Sequence, residues 1–265
     1  MIKKSKIPGI ITWLVLLFFY LPIILLVVNS FNLSRTGGSW DGFTLKWYAK
    51  LWNAKYVWTA LKNTLFVAFF ATIISTIIGT TAAFALHLYK GKFQKTHYCL
   101  IYTPLVIPEI LLGISLLLFF VSVKIDLGFT TMIIAHVTFC VSYVTMAVLS
   151  RLQDFDMTIL EASRDLGANT WQSTTHILLP MVMPGMLAGA LLAMTLSVDD
   201  FVISFFVAGP GSTTLPIQIY SMIKRGSMPL INALSTLLLS VTFLMILVFQ
   251  ILTKHKKKQS VLNVE

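Results

Sequence analysis

The sequence predicts an all-α integral membrane protein with six transmembrane helices. Three observations predict it. Of the 265 residues, 57% are hydrophobic and 11% charged, a balance that a water-soluble domain does not carry. Apolar runs of about twenty residues, the length that crosses a bilayer, recur along the chain. The lysines and arginines, which give a formal net charge of +10, fall between those runs and at the ends. In a soluble domain such a charge points to nucleic acid; here it reads as a topology signal, and nucleic acid is not an expected partner.

The first run, about Pro8 to Val28, follows a basic start. It is too long for the core of a secretory signal and has no small-residue cleavage site, so it reads as an uncleaved first span. Asn29 to Asn63 is polar but holds Trp40, Trp47, Trp52 and Trp58. Trp47, Tyr48, Leu51 and Trp52 share one helical face, the pattern of a helix lying in the membrane interface. An aromatic belt with no further role has the same composition. The second span covers about Thr64 to Leu86. The third, about Tyr98 to Val123, is interrupted at Pro104 and Pro108, and a turn at Asp126-Leu127-Gly128 leads to the fourth, about Phe129 to Ser150. The fifth spans about Met181 to Val207 and the sixth about Ile231 to Thr253. Cys99 and Cys140 lie in separate spans, with no disulfide or metal spacing, and read as small apolar fillers.

Six spans put both termini on one side. That side collects Lys3, Lys4, Lys6, Lys90, Lys92, Lys95, Arg151, Arg164, Lys254, Lys256, Lys257 and Lys258; the other holds Arg35, Lys46, Lys50, Lys55, Lys62, Lys124, Lys224 and Arg225. The excess places the termini, and the polar loop after the fourth span, in the cytoplasm.

Three carboxylates fall within the spans: Glu109, Asp199 and Asp200. An acidic residue at the bilayer centre costs roughly 2.5–3.5 kcal/mol, so three approach about 8–10 kcal/mol before any relief. Such residues face a bundle interior or a water-filled path; hydrogen bonding to a neighbouring helix is the structural alternative. Glu109 follows Pro108, which can restart a helix after a break, and at about 1.5 Å per residue from Tyr98 it falls near mid-depth. Broken helices near the midplane are a recurring way for transporters to build substrate sites. Asp199 and Asp200 count nearer the outer face and project about 100° apart, so the two need not share a cavity. Carboxylates without lysine or arginine in the spans imply a cationic cargo. Tyr220 and Lys224, one helical turn apart, read either as an outer gate or as an interfacial anchor pair. Gly185, Gly189 and Ala193 form a small-residue stripe for close helix contact, within the chain or with another subunit. His136 reads as an interhelical hydrogen-bond partner, since no second metal ligand is placed with it. No nucleotide-binding loop, HExxH or nucleophile elbow is present, so neither an ATPase nor an enzyme is expected, and no cofactor.

The loop from Asp154 to Pro180 reads as two short helices around one turn. Asp154 and Asp156 are N-cap candidates, Leu160, Ala162 and Leu166 give a narrow apolar stripe, and Gly167 supplies the left-handed residue past the helix end. A second short helix through Trp171 reaches Ile177, and Pro180 opens the next span. Glu161-Ala162-Ser163, Gly167 and Ile177-Leu178-Leu179-Pro180 resemble the EAA loop of ABC-importer permeases, with Ser163 where that family most often has alanine. The resemblance implies a type I ABC-importer permease (MetI-like) fold, in which 1–265 form a single transmembrane domain with its core at about 64–253. It implies that 154–180 dock on a cytoplasmic ATPase through Glu161, Ala162, Ser163, Gly167, Ile177, Leu179 and Pro180.

The whole chain further resembles the spermidine/putrescine importer permeases of the PotC type. The stretches that carry this are FTLKWY at 43–48, AHVTF at 135–139, RDLGA at 164–168, LSVDDFVISFFVAGP at 196–210, LPIQIYSMIKRG at 215–226 and NALST at 232–236. The resemblance implies polyamine transport, with a second related permease subunit, two ATPase subunits inside and a soluble polyamine-binding protein outside. Family members commonly carry an acid, often aspartate, at the position of Glu109. The rival from the residues alone is a proton-coupled secondary carrier for an organic cation that uses Glu109, Asp199 and Asp200 as a relay.

Overall fold

The computed structural model describes residues 7–35, 39–88, 91–153, 156 and 158–262, with side-chain surroundings for 8–247 of these and for 250. Lys3, Lys4, Lys6, Lys90 and the cap candidate Asp154 lie outside the described residues, as do the side chains of the basic tail. Every long element among the described residues is helical. The chain falls into two compact units, Met1–Val57 with Ile219–Glu265, and Trp58–Gln218.

In the first unit, α1 (Ile7–Ser30) is an apolar rod whose spanning window is exposed throughout, as expected of a helix that faces lipid or a neighbouring subunit. A loop pinned by the Asn32–Phe43 bridge leads to α2 (Lys46–Trp52). The proposed shared face of α2 divides: Trp47 and Leu51 are buried, whereas Trp52 is 75% exposed. The Trp47 indole N–H donates to the Asn32 carbonyl at 2.8 Å, so this tryptophan is a structural anchor and not only a belt residue. The last helix of the chain (Met228–Leu262) packs on both α1 and α2.

The second unit holds the core. Here α3 (Lys55–Leu88) starts nine residues before the expected second span, because nothing between Lys55 and Asn63 breaks a helix. The expected third span is two helices, α4 (Gln94–Val106) and α5 (Glu109–Ser122), whose axes turn by 110°. Among the described residues five helices are long and apolar enough to cross a membrane, and this bent pair makes the sixth span if counted as one. Pro104 sits inside α4 without breaking it; the break is at Ile107 and Pro108, both extended, as the residue before a proline prefers. A depth count along a straight helix therefore runs only to Val106. Pro108 precedes the restarted helix and Glu109 is its first residue.

The central helix is α6 (Phe129–Gln153), and Met132, His136, Leu149 and Leu152 are among its fully buried side chains. Two short helices follow, α7 (Thr158–Asp165) and α8 (Thr170–Ser173), and then α9 (Leu179–Asp199). The small-residue stripe resolves within the chain. A methyl at Gly189 would come 3.1 Å from the Val144 Cα and one at Gly185 3.2 Å from the Ala147 carbonyl, so α9 lies against α6 at backbone distance. Ala193 is fully buried, and the Cys140 thiol sits 3.6 Å from its carbonyl. Cys140 is thus the small filler expected, whereas Cys99 is exposed on α4.

The expected fifth span ends early. At Asp200 the chain turns extended, and 202–207 form a separate short helix, α10 (Val202–Val207), laid against α5 and α6. The following loop is held by Asn63, whose amide donates to the Gly211 and Thr213 carbonyls, before α11 (Leu215–Lys224) and the last helix, α12.

Candidate functional site

The break at Pro108 and the turn at Asp200 create one cavity of about 240 Å³, lined by Glu109, Phe139, Tyr143, Leu196, Asp199, Asp200, Phe201 and Val202. The three carboxylates of the spans therefore do share a site, although adjacent helical positions project apart. Extended backbone at Asp200 lets both neighbours reach it.

Their roles differ. Glu109, in the first turn of α5, and Asp199, at the end of α9, are exposed. Asp200 is buried, with 9% of its surface accessible. Its Oδ1 accepts from the Ile203 N–H at 3.2 Å and its Oδ2 from the Ser204 N–H at 2.7 Å, which satisfies two of the orphan donors of the first turn of α10. The fully buried His136 completes the arrangement. Its Nε2 lies 3.3 Å from Asp200 Oδ2 and 2.9 Å from Ser204 Oγ, and its Nδ1 2.6 Å from Ser197 Oγ. A carboxylate only accepts, so the Nε2 that faces Asp200 carries a hydrogen, while Nδ1 is hydrogen-bonded to the Ser197 hydroxyl. His136 ties α6, α9 and α10 together, the interhelical role its sequence setting predicts. Asp200 is a structural acid at the back of the cavity, and Glu109 and Asp199 are its accessible charges.

A lining of aromatic rings (Phe139, Tyr143 and Phe201) and two accessible carboxylates, without Lys or Arg, has the chemistry that suits an organic cation. Tyr220 and Lys224 belong to the other compact unit. Their side chains do meet, with Nζ 5.4 Å from the ring centroid.

The segment between α6 and α9 has the two helices and single turn expected. Gly167 adopts φ +87°, the left-handed conformation for which glycine was read. Asp156 caps α7, accepting from the Thr158 N–H at 3.0 Å, and that bond holds its carboxyl below the usual carboxylate range. Sequence reading missed the cap of α8. Asn169 and Gln172 form a reciprocal capping box, with bonds of 2.8 and 2.9 Å, and the N-x-x-Q spacing was its signal.

The apolar stripe is corrected. Leu160 is buried, but Ala162 is exposed and Leu166 is 89% exposed; the inward partner is Ser163. Its hydroxyl donates to the Leu160 carbonyl at 2.8 Å and lies 2.7 Å from Ser173 Oγ on the other helix. Glu161, Leu166 and Trp171 are left outward. Ile177 and Leu179 are half-buried, Leu178 between them is buried, and Pro180 is exposed. Pro180 stands in the first turn of α9, as its sequence setting predicts, but no helix starts afresh there. Residues 170–199 run without a break, and a π turn at Thr174–Leu178 precedes the proline, whose missing N–H cannot continue the ordinary ladder.

A family model described as the binding-protein-dependent transport system inner membrane component matches residues 75–258. This chain belongs to that family. The permease is 42% identical over 241 residues to the spermidine/putrescine transport system permease protein PotC of Escherichia coli K12, covering 91% of each chain. It is 39% identical over 256 residues to the putrescine transport system permease protein PotI of the same organism, covering 94% of this chain and 91% of the relative. Its fold matches that of a bacterial ABC transporter involved in import of the acidic polysaccharide alginate, with a TM-score of 0.74 at 17% identity over 94% of this chain and 98% of the other. The permease thus has the type I ABC-importer fold. It is a transport subunit of an inner-membrane system, and permeases of this family work with a partner permease, an ATPase and a substrate-binding protein.

Proposed function

We propose that this permease imports polyamines, spermidine or putrescine, in a complex with a second related permease, two cytoplasmic ATPases and an external polyamine-binding protein. The observation that carries the reading is the cavity in which Glu109 and Asp199 stand accessible beside Phe139, Tyr143 and Phe201 with no basic residue in the lining. A polyamine presents ammonium groups joined by methylenes, and this lining offers carboxylates for the former and apolar surface for the latter. The polyamine names of PotC and PotI support the same substrate class. The whole chain acts as one transmembrane domain with both termini cytoplasmic, so that the hairpin of α7 and α8 meets the ATPase through Glu161, Ala162 and the outward Leu166 and Trp171.

Reconstituted complex in vesicles tests this reading. ATP-dependent uptake of labelled spermidine or putrescine, lost when the ATPase is removed, is the expected result. Uptake driven by a proton gradient without ATP, or no polyamine uptake by a complex that hydrolyses ATP, would overturn it.

A further inference from the structure

Five basic residues, Arg35, Lys46, Lys50, Lys55 and Lys62, sit in the first long loop and the helix starts that follow it, against the charge bias that orients the chain. A cationic cargo gives them no purpose, since they would repel it. Three of them converge. Arg35, Lys46 and Lys50 line a cavity of about 260 Å³ together with Trp47, Tyr56 and the turn at Gly226–Leu230. Among the described residues its lining carries no Asp or Glu, and no ion pair neutralises the three cations.

The position of this cavity narrows its occupant. It lies where α1 ends at Ser30 and α12 begins at Met228, two apolar helices packed on each other, and so at the boundary between hydrocarbon and water. Helix α2 has Trp47 buried and Trp52 exposed, and Lys50 Nζ stands 5.9 Å from the Trp47 ring. Amphipathic rings and basic side chains at headgroup level are the chemistry that holds an anionic lipid. A concavity of this size fits a glycerophosphate headgroup; a protein partner's acidic face needs a broader surface.

We infer that the pocket of Arg35, Lys46 and Lys50 binds the phosphate of an anionic phospholipid headgroup and anchors the first unit in the bilayer. The cations take the phosphate oxygens, Tyr56 and Trp47 flank the glycerol, and the acyl chains run down the exposed face of α1. A headgroup that carries its own ammonium, such as ethanolamine, meets repulsion there.

The test uses the purified transporter complex in detergent, titrated with short-chain phosphatidylglycerol and followed by native mass spectrometry. Phosphatidylglycerol should bind at least fivefold tighter than phosphatidylethanolamine. Each basic residue near a headgroup contributes about a fivefold factor, so Lys50→Gln should weaken binding by about that much. The triple variant Arg35→Gln/Lys46→Gln/Lys50→Gln should weaken it at least tenfold, and Lys46→Arg/Lys50→Arg should stay within twofold. Unchanged lipid binding by Lys50→Gln and by the triple variant would overturn the inference. So would displacement of the lipid by equimolar inorganic phosphate, which marks a free-anion site. Loss of affinity for the substrate-binding protein with lipid retention intact would reassign the pocket to protein docking.

Discussion

His136 Nε2 and Asp200 Oδ2 lie 3.3 Å apart at the back of the acidic cavity, joining α6 to the turn between α9 and α10. That pairing separates two carboxylates that are adjacent in sequence. Asp200 spends both oxygens on the Ile203 and Ser204 N–H groups, whereas Asp199 stays accessible. Asp200→Ala should therefore lower stability by about 2–4 kcal/mol, since it leaves charge-assisted bonds unmade in a buried place. The expected readout is a lower thermal midpoint and less assembled complex. Asp199→Asn should leave both near normal and reduce polyamine flux. Equal loss of assembly in the two variants would refute the division.

How far this was legible differs along the chain. The turn at Gly167 and the break at Pro108 are written in single residues whose backbone preferences are local. The end of α9 is not. LSVDDFVISFF reads as one apolar run with two acids, and the turn at Asp200 is held by His136, more than sixty residues earlier. Leu166 was misplaced for another reason. In a helix of eight residues, apolar side chains reach either the protein's own core or a partner, and periodicity does not distinguish the two. The third span failed as a straight rod because hydropathy records composition, not the 110° change of direction at Ile107–Pro108.

The Ser163–Ser173 contact, 2.7 Å between hydroxyls, holds α7 and α8 together with two small side chains. Ser163→Ala should cost about 1 kcal/mol or less and leave transport intact, because the smaller residue keeps the spacing. Ser163→Leu should separate the helices, raise hydrogen exchange across 158–178 and weaken ATPase binding. If the leucine variant binds ATPase normally, the hairpin's closure has no part in docking.

Gly167→Val isolates backbone conformation. A Cβ added at Gly167 meets nothing of this chain within 4 Å, so the strain within the permease comes from φ +87°. A non-glycine residue there costs about 1–2 kcal/mol, and a β-branched one more. Membrane insertion should be unchanged, while ATP-driven uptake and ATPase co-purification fall together. Glu161→Lys, which reverses an exposed charge in the first turn of α7, should reduce docking without moving the turn. Normal co-purification by both variants would remove this hairpin from the interface.

Glu109→Gln addresses the route itself. Pro108 ends the preceding helix and sets Glu109 at the start of α5, where its carboxyl lines the cavity. The lining that this chain gives the cavity holds no Lys or Arg, so within the proposed function the cargo is the cation that Glu109 meets. Glutamine keeps the size of the side chain and most of its hydrogen bonds but removes the charge. A desolvated ammonium contact to a charged group is worth roughly 1.5–3 kcal/mol, or about ten- to a hundredfold in occupancy. Assembly and ATPase docking should stay near normal, because Glu109 is exposed and α10 is held by Asp200 instead. Polyamine uptake should fall by at least tenfold in vesicles matched for complex abundance, and Glu109→Asp should retain more flux than Glu109→Gln. Flux within twofold of the unaltered permease would show that this carboxylate does not line the path, and would leave Asp199 as the accessible acid to test.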